Sequence, residues 1–357
     1  MNVGLVGLSG SGRSSVFGAL AVGSSIASHH AGPLGEVHHA AVDVPDARLQ
    51  VLSDLHKSKK ITHTRINLVD LPGLGCGQLP KGQNPQIIAA ARQQGDLLLA
   101  VIRDFENPGN PHPLGSVDPA RDLRLLLDEF QLADLTVIEN RLQKLEETLK
   151  KPTPERDQQL HEKAAIEKCK TALEETGSAA SAELTPEEQL RVSGFRFLTR
   201  KPLAVIRNVG EDQVGRQADQ LEEDFPQETL CASIEAELAQ LDDEERGEFM
   251  ADYGIEEFSQ QRIIRTLYDA SNLITFFTAG ETESRAWPLK QGLTALEAAG
   301  KIHTDIARGF IRAEVYRYED LVELGSEKAV KDAGKFRLEG KEYVILEGDV
   351  VFFRFSV

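Results

Sequence analysis

A glycine-rich turn between a short apolar run and a helix-compatible run fixes the frame for this chain. Residues 7–14 read Gly7-Leu8-Ser9-Gly10-Ser11-Gly12-Arg13-Ser14. The spacing is that of a phosphate-binding loop, G-x-x-x-x-G-K-[ST], with arginine where lysine is usual. In such a loop the backbone N–H groups point at phosphate oxygens, and the helix that follows adds its positive end. The basic side chain reaches the outer phosphates and the hydroxyl ligates Mg²⁺. Upstream, Val3-Gly4-Leu5-Val6 suits a buried parallel strand. Downstream, Ser14-Ser15-Val16-Phe17-Gly18-Ala19-Leu20 reads as a helix start. The motif requires that strand–loop–helix context.

The rest of the N-terminal region repeats the alternation. Ile66-Asn67-Leu68-Val69, Leu97 to Ile102 and Pro202 to Ile206 are further strand candidates, and the second is apolar throughout. Uninterrupted apolar runs are expected of strands covered on both faces, so the class is α/β with a mostly parallel sheet. Asp70-Leu71-Pro72-Gly73 follows one of these strands and matches D-x-x-G. In P-loop GTPases that aspartate supports Mg²⁺ and the glycine N–H meets the γ-phosphate. Leu74 stands where a water-orienting glutamine is usual, so the catalytic group for hydrolysis is not assigned. Gly73-Leu74-Gly75-Cys76-Gly77 predicts a mobile segment that orders on the γ-phosphate. Asn208-Val209-Gly210-Glu211 follows the last strand, in the position of the base-recognition motif N-K-x-D. With glutamate for aspartate and valine for lysine, guanine selectivity need not hold and adenine becomes an option.

Near residue 135 the pattern changes. Leu135, Ile138, Leu142, Leu145 and Leu149 form a heptad-like seam. Lys151-Pro152-Thr153-Pro154 breaks the helix, and Leu160, Ala164, Ile166, Cys169 and Leu173 mark a second amphipathic segment. Thr185-Pro186-Glu187-Glu188 predicts an N-cap with proline in the first turn. Residues 138–199 read as an inserted helical hairpin, either an arm that contacts protein or RNA, or a helix pair that packs on its own domain. Beyond residue 270, Ile311 to Tyr316 and Val350 to Phe355 alternate like antiparallel strands with one exposed face, and Gly340 and Gly348 supply turns. A small α+β domain of β-grasp type is expected there. The division is then 1–137 with 200–271, 138–199, and 272–357.

The chain has 357 residues and a net charge of −17, which on average repels nucleic acid. Residues 285–357 carry 12 Lys+Arg and 12 Asp+Glu, so this stretch is neutral and leaves room for a local basic patch. No apolar run approaches a membrane span, and Met1-Asn2-Val3-Gly4 runs straight into a strand with no basic n-region. The expected location is cytoplasmic. Cys76, Cys169 and Cys231 are too far apart for a zinc set or a disulfide framework. His29, His30, His38 and His39 read as a solvated loop in preference to a metal site, because no carboxylate or cysteine spacing completes one. Lys57, Lys59 and Lys60 read as a solvated face, and Trp287 as a packed core residue.

These residues together resemble the YchF / Obg-like ATPase family, of the Obg branch of P-loop GTPases. The resemblance rests on Asn2 to Gly7, Val44-Pro45-Asp46-Ala47-Arg48-Leu49, Asn208 to Glu211, Ile234 to Leu238 and Leu241 to Arg246. Its most specific part is Ile302-His303-Thr304-Asp305-Ile306 through Gly309 to Val315, extended by Gly334 to Lys341 and Gly348-Asp349-Val350. It implies a G domain, an inserted α-helical coiled-coil arm and a C-terminal TGS domain. It also implies ATP binding as good as or better than GTP binding, slow hydrolysis, and association with the ribosome or its RNA or protein. A monomer with no membrane partner is expected. On this resemblance Gly7, Ser9, Gly10, Ser11, Gly12, Arg13, Ser14, Ser15 and Gly73 would hold the phosphates. Ser14 and Asp70 would hold Mg²⁺, and Asn208, Val209, Glu211, Ala232 and Ser233 would meet the base. The chain departs from the family loop at Gly10, Ser11 and Arg13, where the family carries Asn, Val and Lys. The other reading these departures leave open is a nucleotide-binding scaffold with little or no hydrolysis.

Overall fold

The apolar run beside the glycine-rich loop becomes β1 (Asn2–Val6), and the loop feeds α1 (Arg13–Leu20). The computed structural model describes residues 1–24, 26–30, 36–75, 83–151, 154–215, 219–222, 224–241, 243–252 and 259–356. After α1 come β2 (Ile26–His30), β3 (Glu36–Asp43), α2 (Ala47–His56), β4 (Ile61–Thr62), β5 (Arg65–Asp70), α3 (Gln83–Gln94) and β6 (Leu97–Asp104). A helical stretch follows: α4 (Pro119–Leu149), α5 (Arg156–Thr176) and α6 (Pro186–Ser193). The chain returns through β7 (Leu203–Val209), β8 (Gln227–Leu230), α7 (Ala232–Leu238), α8 (Asp243–Asp252) and α9 (Ser259–Ala270). The remainder is β9 (Leu273–Thr278), β10 (Ser284–Lys290), α10 (Ala295–Ile302), α11 (Thr304–Arg308), β11 (Phe310–Arg317), α12 (Tyr318–Leu324), α13 (Glu327–Asp332), β12 (Arg337–Glu339) and β13 (Asp349–Phe355). By contacts the chain forms two units, Met1–Val42 with Asn67–Gln260, and Asp43–Ile66 with Gln261–Val357.

The first unit holds a sheet in the order β2-β3-β5-β1-β6-β7-β8. From β5 to β8 all described pairings are parallel, and β2–β3 is an antiparallel hairpin. The central strands are apolar because both faces are covered: Leu97 to Arg103 are all buried. From β1 the chain passes to β2, β3 and β5 on one side and then through α3 to β6 on the other, so the carboxyl end of β1 is a switch point. Open parallel sheets bind their ligands there.

Asp118 caps α4 by accepting from the Arg121 N–H, with Pro119 in the first turn. No glycine or internal proline interrupts the helix, and one apolar face runs through two cores. Leu123, Leu126 and Phe130 join the sheet core, and Ile138 and Leu145 join a separate cluster with Ile166, Cys169, Leu173 and Phe197. Residue 138, expected to open the helical hairpin, therefore lies in mid-helix. The leucine seam is used for packing within the unit. Thr185 and Glu188 form the reciprocal cap expected at α6. Pro152 and Thr153, expected to break the hairpin, lie outside the described residues. The four histidines are not in a loop, as the sequence suggested. They sit on the edge hairpin, where Ser28 pairs with His38 and Ala27 with His39.

The second unit is a mixed sheet in the order β12-β11-β13-β9-β10-β4. β9–β10 and the two pairings of β11 are antiparallel, whereas β13–β9 and β4–β10 are parallel. Such a mixed order cannot be read from alternation alone, which reports a strand's faces and not its neighbours. Phe276 and Phe277 are fully buried on opposite faces of β9, each worth about 1.5–3 kcal/mol on transfer from water. Trp287 stacks on Phe276 and is covered by Arg285 at 3.9 Å, as a packed residue. Residues 43–66 belong to this unit although they lie early in the chain. Leu49 and Leu52 of α2 join Phe277, Tyr316 and Val350, and Arg48 sits over the Phe277 ring at 4.8 Å. Lys57, Lys59 and Lys60 are exposed there.

His56, at the end of α2, lies 3.2 Å through Nε2 from the Tyr316 hydroxyl. Burial lowers its pKa from the usual value, and Glu327 only partly opposes that. A base whose pKa is lower in the folded state binds fewer protons folded than unfolded. Its protonation therefore weakens this unit as pH falls below about 6.5, and stability recovers as pH rises back through that window. His56→Gln should flatten the acid limb of the unfolding midpoint measured between pH 7 and pH 5; an unchanged limb would exclude His56 as its source.

Candidate functional site

The loop Leu8 to Ser15 lines a cavity of about 1300 Å³ at the carboxyl end of β1. Gly10 and Gly12 hold φ of 82° and 80°, the left-handed region in which a side chain is strained. Gly12 caps α1 with no side chain on the helix's first N–H groups. Those donors stay available to an anion, and the helix end adds a partial positive charge. Gly7 does not line the cavity. It lies behind the loop, where a Cβ would collide with the Val101 carbonyl and the Ser11 hydroxyl.

Three tethers hold the loop. Asn208, 3% exposed, donates from Nδ2 to the Ser11 carbonyl at 3.1 Å and accepts at Oδ1 from the Ala232 N–H at 3.2 Å. It is a strut joining the loop to the start of α7, so both ends of its amide are occupied. Arg103, 1% exposed, donates to the carbonyls of Phe105, Gly10 and Asn110. These carbonyls are neutral, as is the Phe105 ring that the guanidinium covers at 4.7 Å, so a positive charge lies buried directly behind the loop. Leu74 closes the third side: its N–H donates to the Gly7 carbonyl at 2.9 Å, and its carbonyl accepts from the Ser9 N–H at 2.8 Å.

Leu74 is 1% exposed, packed in the sheet core and absent from the cavity wall. Two backbone bonds and a buried side chain thus hold Leu74, one residue into the segment 73–77 expected to be mobile. Gly75 is likewise bonded to Asn84. Cys76 and Gly77 lie outside the described residues. Cys169 and Cys231 are buried free thiols.

The Arg13 side chain turns to Asp70. Its Nε donates to the Asp70 Oδ1 at 2.6 Å, with the arginine side chain 12% and the aspartate side chain 4% exposed. Asp70 does not line the cavity, whereas Arg13 and Gly73 do. The site residues that would hold Mg²⁺ are the Ser14 hydroxyl, which is exposed on the cavity wall, and the Asp70 carboxylate. The first suits the ion. The second does not in this arrangement, because a guanidinium already neutralises its charge at hydrogen-bond distance. Among the described residues no group of three or more His, Cys, Asp or Glu is placed to hold a metal ion.

At the other end of the cavity Val209, Glu211, Ala232 and Ser233 line the wall, with Asn208. The sequence reading missed Phe105, Glu106, Asn107 and Asn110, which line it too. One signal was present: a charged pair, Arg103-Asp104, ends an otherwise apolar strand next to β1, and loops at that end of a parallel sheet are where ligands sit. His112, 7% exposed, bonds through Nε2 to Asp122 at 2.7 Å near the same loop, without reaching the cavity wall.

Residues 273–356 match the YchF-GTPase C-terminal family, described as a protein of unknown function (DUF933). The whole chain is similar to curated proteins. It is 39% identical to the "Ribosome-binding ATPase YchF" of Haemophilus influenzae over 362 residues, covering 99% of each. It is 38% identical to the protein of that name from Escherichia coli O157:H7, covering 99% of each, and 36% identical to that of Bacillus subtilis over 368 residues, covering 100% of each. Among solved structures, the YchF GTPase of Schizosaccharomyces pombe matches with a TM-score of 0.82 at 27% identity, covering 99% of this chain and 97% of that one.

Proposed function

This chain belongs to the YchF family of P-loop NTPases, and from that membership we propose that it binds a purine nucleoside triphosphate through residues 8–15 and acts as a slow, ribosome-associated nucleotide switch. The observation that carries the reading is the cavity itself, walled by a glycine-rich loop with an open helix start. Such a start binds phosphate through backbone N–H groups and needs no lysine to do so. The relatives' name supplies the ribosome as partner. The cytoplasm, as a monomer, is the corresponding location. No helix among the described residues is long and apolar enough to cross a membrane.

Ser14 is the residue that would share Mg²⁺ with the nucleotide; Asp70, expected beside it, is engaged by Arg13 instead. Ser9, Gly10, Ser11, Gly12, Arg13, Ser14, Ser15 and Gly73 are the proposed phosphate residues, with Gly7 as their support. Val209, Glu211, Ala232 and Ser233 are the proposed base residues, with Asn208 positioning both groups. The proposed division keeps a TGS domain at 272–357 and a helical segment at 138–199. Buried Leu74 cannot orient a water, so hydrolysis depends on another group and is slow. A non-hydrolysing scaffold is the second reading, favoured by the same residue and by the Arg13–Asp70 pair. Phosphate release measured with ribosomes present separates the two.

Calorimetric titration with ATP and GTP tests the binding reading; no heat with either would end it. Glu211 stands exposed on the cavity wall where a base-reading carboxylate is needed. Glu211→Asp shortens its reach and should move the ATP/GTP affinity ratio toward GTP by about tenfold. An unchanged ratio would remove Glu211 from the base site.

A further inference from the structure

We propose that the Arg13 guanidinium takes the position of the divalent cation at this site, so that the chain binds nucleoside triphosphate without Mg²⁺. The inference rests on the nucleotide-binding reading and deepens it.

Arg13 is the first residue of α1 and Asp70 the last of β5, 57 positions apart in the chain. Their bond of 2.6 Å is charge-assisted and lies in a nearly closed setting. Only Nε is used. Among the described residues Nη1 and Nη2 have no hydrogen-bond partner, and Arg13 lines the cavity, so both nitrogens can donate into it. Gly73 brings the D-x-x-G turn against the same guanidinium: a Cβ there would lie 3.0 Å from Nη1 and 3.0 Å from the Ser9 Cα. The fork therefore sits between the loop and the turn, where the outer phosphates of a bound nucleotide and their metal ordinarily meet.

Chemistry favours the exchange. A guanidinium is charged at every accessible pH and presents donors in a fixed plane. One edge can hold Asp70 while the other faces phosphate oxygens. A lysine ammonium on phosphate is a compact point charge and leaves the aspartate free for a metal. With arginine, a dication at Asp70 would meet a neighbouring positive charge and a carboxylate already neutralised. Arg103, buried behind Gly10 with three carbonyl partners, adds a second fixed positive charge close to the phosphates. Two guanidiniums thus supply the neutralisation that the metal gives elsewhere.

The test is calorimetric titration of the full chain with ATP and with GTP, in magnesium chloride and in EDTA, alongside Arg13→Lys. Wild type should bind with affinities within about threefold of one another in the two buffers. Arg13→Lys should lose about tenfold or more when the metal is removed. A wild-type loss of tenfold in EDTA would overturn the inference and leave the nucleotide reading standing. No binding in either buffer would overturn both. Manganese titration followed by electron paramagnetic resonance gives a second readout. The nucleotide complex of wild type should hold Mn²⁺ no more tightly than free nucleotide does, and that of Arg13→Lys should hold it more tightly. Tighter Mn²⁺ retention by wild type would also overturn the proposal.

Discussion

Gly12→Ala should abolish nucleotide binding, with affinity falling by about 100-fold or more. Gly12 holds φ of 80°, and an alanine there costs about 1–2 kcal/mol in backbone strain alone. The added methyl group also drives into the Asn208 Nδ2, well inside contact distance. Asn208 cannot yield cheaply, because both ends of its amide are bonded, to Ser11 and to Ala232. Either the loop opens or the strut breaks, and both move the N–H groups at the start of α1. Titration with ATP, with circular dichroism to verify folding, measures the effect. The double variant with Asn208→Ala separates the causes: the collision disappears, the strain remains, and the two changes should be strongly non-additive. A folded Gly12→Ala protein that binds ATP within threefold of wild type would show that the loop does not hold phosphate in this geometry.

Asp134→Ala should cost about 3–5 kcal/mol of unfolding free energy. This carboxylate of α4 is completely buried. It accepts from the Leu198 N–H at 3.0 Å, the Thr199 N–H at 2.8 Å and the Thr199 hydroxyl at 2.8 Å, and it pairs with Arg92 at 2.8 Å. Alanine leaves those donors without an acceptor in a site closed to water, and it leaves the guanidinium without its counter-charge. Each uncompensated buried donor costs on the order of 1–3 kcal/mol. The bonds fasten the long helix to the short turn that leads into β7, so the loss should register in the melting of the first unit. Asp134→Asn keeps an acceptor oxygen and should cost less. Denaturant unfolding of both variants checks the ranking; a loss below about 1 kcal/mol for alanine would mean that the site relaxes to admit water.

Several features are legible in the sequence because they are local. Apolar runs without alternation marked β1, β6 and β7, since a strand covered on both faces has no polar side, and Ile66, Leu68 and Val69 marked β5, where Asn67 is exposed. Thr185 and Glu188 marked a helix start because both act within one turn. The loop at residues 7–14 was recognisable because its glycines answer to backbone conformation, which neighbours in sequence decide. The histidine loop was misjudged, and residue 138 fell inside α4 and not at a helix start, for a related reason. A change in apolar texture marks a change of partner, and α4 changes partner without ending.

The residues that give the site its character lie beyond that reach. Arg13 and Asp70 are 57 positions apart and Asn208 and Ser11 are 197 apart, and each pair meets only because β1 lies between β5 and β6, with β7 on the far side of β6. Sheet order depends on the summed burial of whole strands and helices, not on any window of sequence. The assignment of residues 43–66 to the second unit is of the same kind, since α2 buries Leu49 and Leu52 against strands more than 200 positions away. The chain's own order of residues thus settled that there is a phosphate loop and where its glycines fall. Three-dimensional packing alone settled that its arginine faces a carboxylate, because a charge takes the nearest opposite charge the fold brings within reach.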